Sequence, residues 1–297
     1  MAALSKSRVF ITGIAGFTGS HLEKMLAPDF DVAGSVVLPS PHSHHFTCDL
    51  REEEKLAEII ASFKPDYLIH LAAISFVHAK DQLGIYDVNV FGSENLLKAV
   101  GKLNYIPQKI ILAGSAAVYG NVGGEISETH PANPVNHYGN SKLAMENIAK
   151  PYFEKQNIII TRPFNYTGAG QEKHFVVPKI AAHFKEKKEV IELGNIEVYR
   201  EFNDIQFTLR CYKELMLSDF RSEIVNVCTG RAYCIRDIIQ LMTELSGHKI
   251  EVKINPRFVR QNEVAMLRGS NKKLARMIGD FADEFKLRNT LESMLNA

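Results

Sequence analysis

The chain has 297 residues, 45% hydrophobic and 23% charged, a balance that fits a soluble globular protein with a substantial core. Its formal net charge of +1 excludes a dominant basic surface, so neither nucleic acid nor a membrane is expected as a partner, and no apolar run approaches bilayer-spanning length. MAALSKSRVF passes directly into a strand pattern and leaves no room for a signal peptide. A cytoplasmic protein is therefore expected, with Cys48, Cys211, Cys228 and Cys234 as reduced thiols. No C-x-x-C pair occurs, and no metal site is predicted.

Residues 9–12 form a short apolar, β-branched run that suits a buried parallel strand. Gly13, Gly16 and Gly19 follow, before Leu22, Met25 and Leu26 take up a helical period. A glycine-rich turn between a strand and a helix suits a dinucleotide: Gly13 permits a tight turn, Gly16 lets backbone approach a pyrophosphate, and Gly19 allows close helix packing. Residues 31–37 read as a strand. The histidines of SPHSHH (His42, His44, His45) read as a Pro- and Ser-rich surface loop rather than a metal site. Then come a helix at 52–63, a strand at 67–72, a helix at 88–100, a strand at 109–113, a long helix at 138–153 and a strand at 158–161. Strands alternating with helices imply an α/β fold: a Rossmann-type, doubly wound parallel sheet that binds ligands beyond the carboxyl ends of its strands. Gly13, Ala73 and Ser115 lie just past such ends and should line one crevice.

After Arg162 the pattern loosens into RPFNYTGAGQ, rich in turn residues. Helices are expected at 177–187, 208–217 and 235–246, in a smaller mixed α/β lobe covering the crevice. The domains read as 1–164 for the dinucleotide, with 200–222 returning to it, and 165–297 mainly for the substrate.

In NHYGNSKLAMENIAK, Tyr138 and Lys142 are four residues apart, on one face of a helix. An ammonium beside a phenol favours the phenolate, so Tyr138 can give or take a proton near neutral pH. Ser115, in ILAGSAAVYG, can hydrogen-bond a substrate oxygen beside that phenol.

A glycine-rich turn, a strand-end Ser and Tyr-x-x-x-Lys, in that order, resemble the extended short-chain dehydrogenases/reductases along nearly the whole chain. The resemblance selects Ser115 by its place four residues before the Tyr of VYG and makes Tyr119 a structural residue. It also implies that Phe17 and Thr18 in the first turn, Asp49 and Leu50 of CDL, Leu71, Ala72 and Ala73 of LIHLAA, and Asn89 contact the cofactor, with Asp49 at the adenine. RPFNYTGAGQ, FVVPKI and GNIEVYREFND look like the branch of GDP-mannose 4,6-dehydratases and GDP-4-keto-6-deoxy-mannose reductases. By that resemblance Ser75, Ala116, Asn165 and Val176 meet the sugar nucleotide, and Lys179 lies near the guanine. Arg200 pairs with a phosphate, and Arg260 and Glu263 hold the diphosphate and ribose.

Residues that are missing narrow the reaction. The dehydratases of this branch use a Glu two residues before the VYG Tyr, where this chain has Ala117. Epimerase/reductases of the GDP-fucose synthase type use a Cys there and a His where this chain has Phe175; the adjacent His174 is expected to point elsewhere. Hydride transfer at C4 needs only Ser115, Tyr138 and Lys142. The expected activity is NAD(P)H-dependent reduction of GDP-4-keto-6-deoxy-D-mannose to GDP-D-rhamnose or its C4 epimer. An NAD-dependent nucleotide-sugar 4-epimerase and a non-catalytic nucleotide-binding protein are the alternatives. Val36 and Val37 put no acid at the end of the second strand, which favours NADP(H) over NAD(H). A homodimer is expected, formed by the helices at 88–100 and 138–153.

Overall fold

A computed structural model describes residues 6–75, 81–259 and 264–297. The chain divides into two compact units. The first comprises Met1–Gly120, Pro131–Arg162 and Leu209–Val225, and the second Asn121–His130, Pro163–Thr208 and Asn226–Ala297.

The first unit opens with β1 (Arg8–Thr12), α1 (Phe17–Leu26), β2 (Asp31–Val36), β3 (His45–Thr47), α2 (Glu53–Phe63) and β4 (Tyr67–His70). It continues through α3 (Gln82–Tyr86), a π-helical turn (Asp87–Gly92), α4 (Ser93–Gly101), β5 (Lys109–Ala113) and α5 (His137–Ala149). Its sheet has seven strands, ordered Glu223–Val227, Ile158–Pro163, β5, β4, β1, β2, β3. Pairings from Ile158–Pro163 across to β3 are all parallel. This is the Rossmann-type arrangement. Its strands read as continuous apolar runs because both faces are covered: Phe10, Ile11, Leu68, Ile69, Ile110, Ile111 and Ile158 through Ile160 are all fully buried. Leu56, Ile60, Leu96, Leu97, Met145 and Ala149 close the core from the helices.

Several boundaries differ from those expected. The fourth strand ends at His70, not at residue 72, because the chain turns from main-chain to side-chain pairing: Leu71 N donates to Thr12 O at 3.2 Å, but Ala72 N donates to Thr12 Oγ1 at 3.2 Å. The helix expected at 88–100 begins at Gln82, where Asp81 caps it by accepting from Gly84 N at 2.9 Å. Gly84 and Gly92 are poor helix formers and hide that start. The helix expected to run to residue 153 ends at Ala149, and Pro151 is the second residue of a 3-10 turn, Lys150–Tyr152, that follows. SPHSHH is not wholly loop: its last residue, His45, opens β3. Three residues with a histidine and a threonine carry no usable strand period.

In the second unit a four-stranded sheet is ordered Ala232–Cys234, Tyr199–Glu201, Met266–Gly269, Gly124–Ile126, and is mixed in direction. Helices Val176–Lys185, Ile235–Ser246 and Leu287–Asn296 bury Val177, Ile180, Phe184, Ile238, Met242 and Leu291 in one core. The last helix and these short strands lie in segments with no predicted element. Among the described residues no helix is long and apolar enough to cross a membrane.

Candidate active site

The first turn is built to press backbone against backbone. Gly13 has φ +72°, and a Cβ there would lie 2.9 Å from Ala72 Cα. Only glycine gives both the left-handed conformation and this approach. The turn is tied to β2 by Gly13 N and Ile14 N, which both donate to Ser35 O, at 3.0 and 3.3 Å. Phe17 and Thr18 then open α1, whose first turn carries no acidic side chain, so its positive end is not neutralised. These features fit the pyrophosphate of a dinucleotide.

Behind the turn runs a buried hydrogen-bond chain. Thr12 Oγ1 lies 2.6 Å from His70 Nδ1, and His70 Nε2 lies 2.8 Å from Ser93 Oγ. Ser93 Oγ donates to Asn89 O at 2.7 Å, so it must accept from His70 Nε2–H. That fixes the tautomer: Nδ1 accepts from Thr12, whose oxygen accepts from Ala72 N. His70 stays neutral, its pKa pushed down to about 3 by burial and then by the charge of Lys142. Asn89, fully buried in the π-helical turn, extends the chain in both directions. Its Oδ1 accepts from Ile74 N at 2.8 Å, and its Nδ2 donates to Ile74 O at 3.1 Å and Ser141 Oγ at 3.0 Å. Ser141 Oγ donates to Tyr138 O at 2.8 Å. The segment after β4, which holds Leu71, Ala72 and Ala73, is thus locked to the helix that carries Tyr138.

Asn136 starts α5 by accepting from Gly139 N at 2.8 Å. A Cβ at Gly139 would meet Ala117 O at 2.7 Å, so glycine lets α5 close on the turn that holds Ser115 and Ala116. Ser115 Oγ accepts from Ala117 N at 3.1 Å. Tyr138 is partly exposed, whereas Lys142, one turn further on, is buried and donates from Nζ to Ala113 O at 2.8 Å, at the end of β5. Burial pushes the Lys142 pKa down to about 8, against the opposing pull of Glu146. Glu146 is one turn further again and receives Arg162 through two bonds, Nε–Oε1 at 2.9 Å and Nη2–Oε2 at 2.6 Å. Arg162 Nη1 also donates to Tyr119 Oη at 3.0 Å, and the guanidinium lies 4.8 Å from the centre of that ring. Sequence reasoning missed His70, Glu146 and Arg162. The available signals were a histidine inside an apolar strand and an acid continuing the four-residue spacing of Tyr138 and Lys142.

Other predicted residues are placed as follows. Asp49 forms an ion pair with Arg51, whose Nη2 is 2.7 Å from Oδ2, and this holds its carboxyl below the usual range despite partial burial. Leu50 is buried, and its carbonyl accepts from Asn95 Nδ2 at 3.0 Å. Ser75 is exposed. In the second unit, Asn165 O accepts from Asn203 N at 2.9 Å and Val176 opens a helix. Lys179 donates to Glu192 O at 2.7 Å with its ammonium 4.8 Å from the Phe258 ring centre. Arg200 Nη1 donates to Tyr199 O at 2.8 Å. His174 pairs with Glu172 at 2.9 Å. Arg260 and Glu263 lie outside the described residues.

Sheet order, first-turn geometry and the buried lysine one turn from Tyr138 place the chain in the class of extended short-chain dehydrogenases/reductases. Within that class it belongs to the family described as GDP-mannose 4,6 dehydratase, whose model matches residues 10–294. It is 33% identical over 290 residues to the GDP-6-deoxy-D-talose 4-dehydrogenase of Aggregatibacter actinomycetemcomitans, covering 97% of this chain and 96% of that one. It is 30% identical over 301 residues to the GDP-6-deoxy-D-mannose reductase of Pseudomonas aeruginosa, covering 97% and 96%. A UDP-glucose 4-epimerase of Halalkalibacterium halodurans is 26% identical, with 91% and 89% covered. Among solved structures, RMD from Pseudomonas aeruginosa complexed with NADPH superimposes with a TM-score of 0.85 at 29% identity, covering 98% of this chain and 97% of that one.

Proposed function

We propose that this chain reduces the C4 keto group of a GDP-4-keto-6-deoxy-hexose, taking GDP-4-keto-6-deoxy-D-mannose to GDP-D-rhamnose or its C4 epimer. The observation that carries this reading is a complete Ser115, Tyr138 and Lys142 set beside an alanine, Ala117, at the position that would need an acid or base for chemistry at C5. The names of two relatives support it, since 6-deoxy-D-talose and 6-deoxy-D-mannose differ at C4 alone.

A bound nicotinamide would supply hydride to C4. Tyr138 gives its phenolic proton to O4 as that oxygen becomes an alkoxide. Ser115 accepts from Ala117 N, which leaves its own hydroxyl proton available to donate to the same oxygen. Lys142, held by Ala113 O, is mostly cationic at neutral pH and lowers the cost of the tyrosinate. The first turn with Phe17 and Thr18, the residues Asp49 and Leu50, the segment 71–73 and Asn89 hold the cofactor. NADP(H) is favoured over NAD(H), because Val36 and Val37 offer no carboxylate to repel a 2′-phosphate. Ser75, Ala116, Asn165, Val176, Lys179, Arg200, Arg260 and Glu263 hold the sugar nucleotide. The enzyme works as a cytoplasmic homodimer; exposed Leu83 and Phe91, beside α4, suit a partner copy.

The test is chromatography of GDP-4-keto-6-deoxy-D-mannose incubated with this protein and NADPH or NADH. Loss of the keto sugar with equimolar cofactor oxidation supports the reading. The 4-epimerase relatives favour a second one, which predicts interconversion of two nucleotide sugars with no net oxidation.

A further inference from the structure

We propose that Glu23, His44 and His45 form a binding site for one divalent transition-metal ion, with zinc the best match to the donor set. Three ligand atoms from α1 and from the entry to β3 converge here, all within 4.8 Å of one another. Glu23 Oε1 lies 2.6 Å from His44 Nε2 and 3.3 Å from His45 Nε2. Two atoms each about 2.0–2.1 Å from a tetrahedral ion are about 3.3–3.4 Å apart, so the His45–Glu23 spacing already matches one edge of such a site. The His44–Glu23 spacing must open by less than an ångström, and the His44 side chain is 42% exposed and can swing. Two imidazoles with one carboxylate are a zinc donor set that leaves a coordination position for water.

The support around the ligands suits this role. Glu23 and His45 side chains are only 22% and 4% exposed, so they are held rather than waving in solvent. His45 Nδ1 lies 2.9 Å from Ser40 Oγ, an outer-shell bond of the kind that aims the other ring nitrogen at a metal. A turn closed by His45 N to His42 O at 3.1 Å brings adjacent His44 and His45 to one carboxylate, although neighbours entering a strand would point to opposite faces. A carboxylate between two imidazoles attracts a cation and repels an anion, which argues against a phosphate at this place. Glu23 lies six residues into α1, about 9 Å along the axis from its N-terminus, so the site stands apart from the proposed pyrophosphate position. An ion here clips the β2-to-β3 crossing onto α1 at the sheet edge. The cysteines are not competitors: all four are buried, and burial pushes the Cys48 thiol up to about 11.

The test uses untagged, chelator-stripped protein. Calorimetric titration with zinc should give one ion per chain with micromolar or tighter affinity. Cobalt(II) should give the intense visible bands of a four- or five-coordinate site without a thiolate charge-transfer band. Saturating zinc should raise Tm by about 5 °C. Glu23→Gln and His44→Ala, checked for native circular dichroism, should weaken binding about a hundredfold, and Ser40→Ala about tenfold. Binding only at millimolar zinc, a weak six-coordinate cobalt spectrum, or unchanged affinity in Glu23→Gln and His44→Ala would overturn the proposal.

Discussion

Replacing Lys142 with methionine should make the cofactor-free protein more stable while stopping catalysis. The folded pKa of about 8 lies below the ordinary lysine value of 10.5, so the fold prefers the neutral amine. At pH 7 the ammonium is nevertheless present in both states, and keeping it buried costs roughly 3 kcal/mol at about 1.4 kcal/mol per pH decade. Methionine removes that cost but strands the Ala113 carbonyl, worth about 1 kcal/mol. The net gain of about 2 kcal/mol should raise Tm by about 5 °C. The sign with pH follows from the depressed value: the unfolded chain binds more protons between about 8 and 10.5, so wild-type stability recovers as pH rises through that window. At pH 10 only about 1 kcal/mol of the burial cost remains, and the advantage of methionine should vanish. Circular-dichroism melts of both proteins at pH 7 and pH 10 read this directly. A variant no more stable than wild type at pH 7, or a difference unchanged at pH 10, would refute the burial argument.

Tyr138→Phe should cut turnover on the order of a hundredfold or more while the nucleotide sugar still binds, which rapid-quench assays and equilibrium dialysis together can check. Glu146→Leu should destabilise the protein by about 3–5 kcal/mol, because it leaves the Arg162 guanidinium buried and unpaired; Glu146→Leu with Arg162→Met should recover most of that loss in urea melts. Reduction in heavy water with unlabelled NADPH should leave no deuterium at C3 or C5, since Ala117 and Phe175 offer no base; enzyme-dependent label there by mass spectrometry would point to His174.

What could be read from sequence is what short-range pattern determines. β5 was readable to the residue, because four buried apolar positions in a row, 110–113, follow directly on Lys109. The first turn was readable because its glycines sit between a strand and a helix period. Pairings across long separations were not. Arg162 and Glu146 are 16 residues apart, and two charges so placed read as surface until the fold buries both. Glu23 and His44 are 21 apart, so the histidines read as loop. The chain from Thr12 through His70 and Ser93 to Asn89 spans four elements, each hydroxyl or ring ordinary alone. The second unit's strands of three or four residues carry too few positions to show alternation.

The π-helical turn at Asp87–Gly92 has a consequence for how this chain tolerates insertion and deletion. Such a turn holds one residue more than a regular helix needs, so the stretches on either side of it are out of phase by about 100°. Removing one residue between 87 and 92 would mend the helix and improve its local hydrogen bonding. It would also rotate Asn89 away from Ile74 and Ser141 and uncouple the β4 exit from α5. A shortened lineage would therefore gain a better helix and lose the site, so at this position length is constrained more tightly than residue identity.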